Sequence, residues 1–293
     1  MIENKKIVLT GPAGAGKTSI YNTYFEMWNP RSVLEIPLEP TRGINSGLYS
    51  LFNTKLGIFD LAGQENDIWL TSNQDIFKQS NAIICIFDAT NSIESIIIFL
   101  IKIIQIKNRL NLLDCKIYAF MHKIDLVEPT YAFQKIKAIG DFFESQYLKG
   151  KEIEIFKTSI TKDFFFITYY ILGDILKLLF QKGDNLLSEN NDIHALKDEL
   201  VMILSLKNQT KYSRESLSRE FNIGLKKVDS LLERLEHINL VEYLDDFNYF
   251  QLTERSFYFK VGLKKEVSQL NENKFDKGIE LFHVFFSFNK LNS

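Results

Sequence analysis

The stretch that most constrains this chain is Gly11-Pro12-Ala13-Gly14-Ala15-Gly16-Lys17-Thr18. It follows Ile7-Val8-Leu9-Thr10, an apolar run of strand length, and precedes Ser19 to Trp28, which suits a helix. The pattern G-x-x-x-x-G-K-[ST] thus lies between a strand and a helix, the context its chemistry needs. Backbone N–H groups of such a loop, aimed by glycines, wrap a β-phosphate, and the helix N-terminus adds partial positive charge. Gly11, Ala13, Gly14, Ala15, Gly16 and Ser19 are the expected cradle. Lys17 is expected to reach the β- and γ-phosphates, and Thr18 to place its hydroxyl on Mg²⁺. The loop alone leaves the nucleotide and its purpose open.

The motifs that follow narrow the choice. Pro30 to Pro40 has no clear period and reads as a long loop, ending in Pro40-Thr41-Arg42-Gly43. At this distance from a phosphate loop, Thr41 is either a plain turn threonine or the one that closes over Mg²⁺ and the γ-phosphate. Two antiparallel strands are expected near Leu48–Phe52 and Leu56–Asp60, the second running into Asp60-Leu61-Ala62-Gly63-Gln64-Glu65. In this D-x-x-G-Q pattern Asp60 holds Mg²⁺ through a water. The N–H of Gly63 detects a γ-phosphate because glycine permits close approach. Gln64 orients the attacking water. Ala82 to Asp88 reads as a central parallel strand buried on both faces. Ile93 to Leu110 reads as a helix whose apolar residues nearly encircle it, marking either a partner surface or an isoleucine-rich composition.

A further apolar strand, Lys116 to Phe120, ends in Met121-His122-Lys123-Ile124-Asp125. Asp125 would accept hydrogen bonds from guanine N1–H and its 2-amino group. Adenine lacks that donor pair and would leave the carboxylate unpaired. The stem of Lys123 can lie along the base, and His122 stands where an asparagine is usual, with an imidazole N–H able to donate to the guanine edge. Glu152 to Phe156 is the last strand expected, and backbone N–H groups at Ser159 and Ile160 would meet guanine O6. Phe164 to Phe180 reads as a closing helix.

Residues 5 to about 182 resemble a Ras-superfamily small GTPase and are most similar to its Rag/Gtr branch. The likeness rests on Gly11-Pro12 and Thr18-Ser19 at the two ends of the phosphate loop, and on Thr71-Ser72, Ile76-Phe77 and Phe87-Asp88 in the middle. It also rests on His122-Lys123-Ile124-Asp125, whose histidine characterises that branch, and on Thr158-Ser159-Ile160. The resemblance implies an α/β fold, a P-loop NTPase sheet of six strands with flanking helices. It also implies binding of GTP/GDP with Mg²⁺ and nucleotide-dependent switching. Thr41 and Gln64 then lie in the two switch segments, and Gln64, Lys17 and Thr41 are the candidate catalytic set. Thr18, Thr41 and Asp60 are the candidate metal set. Pro40-Thr41-x-Gly43 is more like the Arf branch. Ala13 stands where Ras-type loops often carry glycine, crowding an arginine finger supplied in trans, and no such finger is evident in cis. Slow, activator-dependent hydrolysis is the expectation.

The 293-residue length predicts two domains. We expect a GTPase domain over 1–182, a linker over 183–191, a winged-helix-like domain over 192–265 and an extension over 266–293 of undecided structure. Helices are expected over Ile193–Ser205, Ser213–Phe221 with Ser213 as cap, and Leu225–Ile238. A hairpin is expected from Leu240–Tyr243 and Tyr249–Leu252. Rag proteins carry a longin/roadblock-type domain at this place, so this small α+β unit is the largest departure. A nucleic-acid reader needs a basic face, yet acids and bases balance over 192–265 and the wing tip is Asp245-Asp246. A protein-facing or intramolecular role is favoured, with a GTP-gated DNA-binding transcription regulator as the alternative. Protein effectors, regulators and a second GTPase as dimer partner are the expected partners. Lys plus Arg is 35 and Asp plus Glu is 37, so no general nucleic-acid coat is implied. Cys85 and Cys115 lie in or beside apolar runs and read as reduced core residues, and the histidines are too scattered for a metal cluster. No signal peptide or membrane span is expected, so the expected location is cytoplasmic.

Overall fold

A computed structural model describes residues 4–51, 54–146, 153–180, 202–203, 205–244, 249–267 and 289–290. The chain divides into two compact units. One holds Met1–Tyr21, Leu38–Ile160 and Asn289–Ser293, and the other Asn22–Pro37 and Thr161–Phe288. In this division the end of the first helix, residues 30–35 and the helix after 161 group with the C-terminal elements.

The first unit is built on one sheet. Its strands are β1 (Asn4–Thr10), β2 (Ile44–Leu51), β3 (Thr54–Leu61), β4 (Ala82–Asp88), β5 (Lys116–His122), β6 (Ile153–Lys157) and a two-residue β10 (Asn289–Lys290), in the order β10-β2-β3-β1-β4-β5-β6. The pairs β3–β1, β1–β4, β4–β5 and β5–β6 are parallel, and β2–β3 is antiparallel. Ala82 to Phe87 are all buried, as a strand covered on both faces requires. β2 starts four residues earlier than expected, immediately after Gly43. Ile44, Asn45 and Ser46 are exposed there, so no apolar alternation marks the strand; its backbone ladder to β3 holds it. β10 pairs antiparallel with β2 at Tyr49 and Ser50.

Two long helices among the described residues belong to this unit: α3 (Ile93–Arg109) and α4 (Pro129–Gln146). Ser92 caps α3 by accepting the Ser95 N–H at 3.2 Å. Ile96, Phe99, Leu100, Ile103, Ile104 and Ile106 are buried, Ile93, Ile97 and Ile101 are half-buried, and Ile98 is exposed. Cys85 and Cys115 are free and buried, and burial pushes both thiols up, that of Cys115 to about 12. No described helix is long and apolar enough to cross a membrane.

The phosphate-loop helix, α1 (Lys17–Ile20), continues as a π-helical turn over Tyr21–Phe25 and ends at Met27 in left-handed conformation. Beyond it lies α2 (Pro30–Glu35), where a loop is expected from the prolines. Asn29 caps α2 by accepting the Arg31 N–H at 3.0 Å, and Pro30 occupies the first helical position, where its missing donor costs nothing. An Asn-Pro start was the signal available, and the absence of periodicity masked it.

In the second unit α2 joins α5 (Phe165–Phe180), α6 (Arg214–Phe221), α7 (Leu225–His237) and α8 (Glu254–Val267), with β7 (Tyr212–Ser213), β8 (Val241–Tyr243) and β9 (Tyr249–Leu252) forming the sheet β7-β9-β8. Ser213 caps α6 through a reciprocal box with Ser216. Val228, Leu231, Leu232 and Leu235 form the buried stripe of α7. The expected linker and wing tip lie outside the described residues. So does most of the expected helix over 193–205, of which Met202, Ile203 and Ser205 are helical. The long helix α8 was not anticipated.

An aromatic stack joins α8 to α5, with ring centroids 5.9 Å apart for Phe165–Tyr258, 5.3 Å for Phe166–Phe259 and 5.5 Å for Tyr169–Phe259. Gly262 makes this approach possible. A Cβ on it would lie 2.1 Å from that of Phe166. Arg255 is 2% exposed, and its guanidinium lies 5.2 Å from the Phe165 ring centroid. One nitrogen donates to the Thr23 carbonyl at 2.5 Å and to the Trp28 carbonyl at 3.2 Å, at the C-terminal end of the phosphate-loop helix. That end carries partial negative charge, which suits a cation. Burial lowers the Arg255 pKa to about 10, so it remains charged at neutral pH.

Gly262→Ala supplies a test of this packing. In an ordinary helix interior the change stabilises by about 1 kcal/mol. Here the added methyl enters Phe166, and we expect destabilisation of about 1–3 kcal/mol, read as a lower urea midpoint.

Candidate guanine-nucleotide site

Five strands of the sheet run parallel, so the loops after β1, β3, β4, β5 and β6 emerge at their carboxyl ends, where ligands of open α/β sheets bind. The phosphate loop follows β1. Gly16 sits at φ 94, and a Cβ on it would lie 2.4 Å from Cδ2 of His122. Lys17 folds inward, its Nζ donating to the carbonyls of Gly11 and Pro12, both at 2.8 Å. Burial lowers its pKa to about 8, against the opposing pull of Asp60.

Asp60, on β3, is completely buried. Its Oδ2 accepts the Thr18 hydroxyl at 2.8 Å and the Thr41 hydroxyl at 3.5 Å, and the two threonine hydroxyls are 2.8 Å apart. Its Oδ1 is buried with no hydrogen-bond partner. Burial pushes the carboxyl up to about 6, and the Thr18 bond, Lys17 and Thr41 only partly offset that. A buried carboxylate oxygen lacking a donor beside two hydroxyl oxygens is a hard-oxygen set, and it fits a magnesium ion that takes its remaining ligands from phosphate and water. Among the described residues no group of three His, Cys, Asp or Glu side chains offers an alternative all-protein metal site.

Gly63 lies over the phosphate loop. A Cβ there would sit 2.5 Å from Lys17 Nζ and 2.6 Å from Ala13 N. Gln64 is exposed and, with Thr41, lines a cavity of about 260 Å³ that also touches Ala13, Gly14, Gly16, Lys17, Thr18, Ser19 and Lys123. Three ties in this region were not foreseen. Glu65 Oε1 accepts the Gly43 N–H at 2.8 Å, linking the segment of Thr41 to that of Gln64. Asn66 Nδ2 donates to the Gly11 carbonyl at 2.9 Å. Trp69 Nε1 donates to the Ala62 carbonyl at 3.0 Å.

On the base side Lys123 adopts φ 56, and its Nζ donates to the Gly14 carbonyl at 2.7 Å and to Asp88 Oδ2 at 2.8 Å. Asp88 lies below the usual carboxylate range. Burial pushes it up, but its bonds to Lys123 and Thr90 outweigh that. Asp88 was missed as a site residue because an acid at a strand end carries no motif of its own. His122 ends β5. It is 2% exposed, packs against Gly16, and its Nδ1 lies 3.1 Å from Thr158 Oγ1. Burial, then Lys123, lowers its pKa to about 3, so the ring is neutral and wedges the phosphate loop against the turn after β6. Asp125 is exposed on the short turn after β5, which is joined to the turn of Ser159 and Ile160 by Ile124 N–H to Thr158 carbonyl at 3.2 Å. Ser159 and Ile160 are buried. Gly11, Ala15, His122, Asp125, Ser159 and Ile160 are not among the cavity's lining residues.

The neutral His122 makes stability depend on pH with a definite sign. Its folded pKa lies below the unfolded value near 6.5, so its contribution is complete above pH ~6.5 and fades as pH falls towards 3. We expect His122→Asn to lose stability more slowly than the parent on acidification, compared by thermal melts from pH 7 to pH 4.

The conserved-region model of the Gtr1/RagA G proteins matches residues 6–183, more than half of the chain. No curated protein matches at a significant level. Among solved structures, the bacterial selenocysteine-specific elongation factor EF-Sec is similar with 19% identity and a TM-score of 0.42, over 62% of this chain and 30% of that one. That score is too low to bear weight. The family match spans the phosphate loop, the Asp60–Gln64 turn and the His122–Asp125 turn together, and on it the chain belongs to the Gtr1/RagA family of GTP-binding G proteins.

Proposed function

We propose that this protein is a guanine-nucleotide switch that binds GTP with Mg²⁺ and hydrolyses it slowly to GDP and phosphate. The observation that carries the reading is the convergence of the Thr18 and Thr41 hydroxyls on buried Asp60, whose second oxygen has no donor. Thr18, Thr41 and Asp60 would hold the magnesium ion, which when bound neutralises phosphate charge. Lys17 would exchange its two carbonyl acceptors for β- and γ-phosphate oxygens. Gln64 would orient a water against the γ-phosphorus, whose bond to the β–γ bridging oxygen breaks as GDP leaves. Lys123, held by Asp88 and the Gly14 carbonyl, would flank the base that Asp125 reads.

The γ-phosphate then acts on contacts already present. Thr41 and Gly63 lie on separate segments, tied by the Glu65–Gly43 bond, so what moves one segment strains the other. We read the C-terminal α6, α7 and three-stranded sheet as winged-helix-like and assign them a protein-facing role in a cytoplasmic protein. Arg214 on α6 pairs with Asp229 on α7 at 3.3 Å, which removes one cation from the face a phosphate backbone would need.

Two variants test the reading. Asp125→Asn should move preference from guanine to xanthine nucleotides by about a hundredfold or more, because the amide meets the xanthine carbonyl in place of the guanine 2-amino group. Equal competition by ATP and GTP in the parent would sink the assignment. Gln64→Leu should slow single-turnover GTP hydrolysis by about tenfold or more while leaving GTP affinity within about twofold.

A further inference from the structure

Residues 22–37 belong to the second unit, yet residues that line the nucleotide cavity stand within a few positions of this segment on both sides of it in the chain. Thr18 and Ser19 precede it, Leu38 to Thr41 follow it, and all line the nucleotide cavity. Within the second unit the segment is gripped by one group of side chains. Arg255 donates to the carbonyls of Thr23 and Trp28 and approaches Met27 Sδ at 3.3 Å. Asn239 Nδ2 donates to the Met27 carbonyl at 2.9 Å. Glu254 pairs with Arg31 of α2 at 3.2 Å. Arg255, Glu254 and Asn239 stand together. The first two open α8, and the Asn239 carbonyl accepts the hydroxyl of Thr253, just before them, at 2.7 Å.

The partners of Arg255 in these bonds are two carbonyls and a thioether, so its buried charge is balanced by the end of the phosphate-loop helix itself. A cation placed so satisfies the helix only while that end stays where it is. A shift of the helix end strands both a buried guanidinium and two carbonyls.

We infer that Arg255 and Asn239 are positioning residues of the nucleotide site, acting through residues 22–37 to fix where the helix bearing Thr18 ends and where the run to Thr41 begins. The inference rests on the reading of the cavity as a GTP/Mg²⁺ site. It makes the C-terminal unit part of the switch, because whatever the nucleotide does to Thr41 is also felt at α8. Coupling of this kind is reciprocal.

The test uses the full chain loaded with a fluorescent GDP analogue. Release is followed for the parent and for Asn239→Ala, Arg255→Lys and Arg31→Ala, with Mg²⁺ and again in EDTA, with melting temperatures measured alongside. We expect Asn239→Ala and Arg255→Lys to release faster in Mg²⁺, on the order of fivefold, the effect of one lost hydrogen bond. In EDTA the rates should converge, since the ion through which Thr18 and Thr41 act is gone. Release within about twofold of the parent in folded variants overturns the inference. So does equal acceleration with and without Mg²⁺, which marks general loosening. If Arg255→Lys does not fold, Asn239→Ala decides, with the surface pair variant Arg31→Ala expected to show a smaller effect of the same sign. A parent chain that holds no GDP overturns the reading of the cavity, and the inference with it; a parent that binds while the variants match it overturns the inference alone.

Discussion

A completely buried carboxylate with an unsatisfied oxygen is expensive to hold, and Asp60 is such a group. Removing a charge from water without a partner disfavours the ionised form, which is why its carboxyl lies near 6. The surroundings offset this only in part, through Thr18, Lys17 and Thr41. They are delivered by two pieces of chain: the phosphate-loop helix, which carries Lys17 and Thr18, and the segment before β2, which carries Thr41. The site is therefore a place where several elements must arrive together around one poorly compensated charge. A divalent cation is the natural completion of such an arrangement, and the nucleotide phosphates that accompany it are what Lys17 and the loop are built to meet.

Much of this was legible in the residues because phosphate chemistry constrains backbone as well as side chains. Gly16 and Gly63 stand where a Cβ would collide with His122 or with Lys17 and Ala13, and motif spacing records that requirement. The buried strands β4 and β5 were legible for the same kind of reason: a strand covered on both faces leaves a continuous apolar run. Elements whose side chains report little were harder. The exposed start of β2 is held by backbone pairing, which sequence does not record. α2 lies among prolines that suggest an irregular loop, though one of them opens the helix. The motif around His122 does not record its packing between Gly16 and Thr158. Asp88, Glu65 and Asn66 act through single long-range bonds with no spacing to advertise them.

The least legible feature is how the chain is shared between its two units. A linear reading closes the first domain near residue 182, where the family resemblance ends. The packing returns residues 22–37 to the C-terminal elements and binds them through Arg255, whose charge has no meaning in a local pattern. Buried cations satisfied by helix carbonyls leave no periodic trace. They are visible only once the helix end and the guanidinium are placed side by side.

The chain holds two tryptophans, one in each unit. Trp69 is buried with its indole N–H on the Ala62 carbonyl, directly beside Gly63. Trp28 is 49% exposed, and its own carbonyl is held by Arg255. An indole in a dry, hydrogen-bonded site emits at shorter wavelength than one in contact with water. The protein thus carries two spectrally separable light sources, one set beside Gly63 and the other at the Arg255 grip.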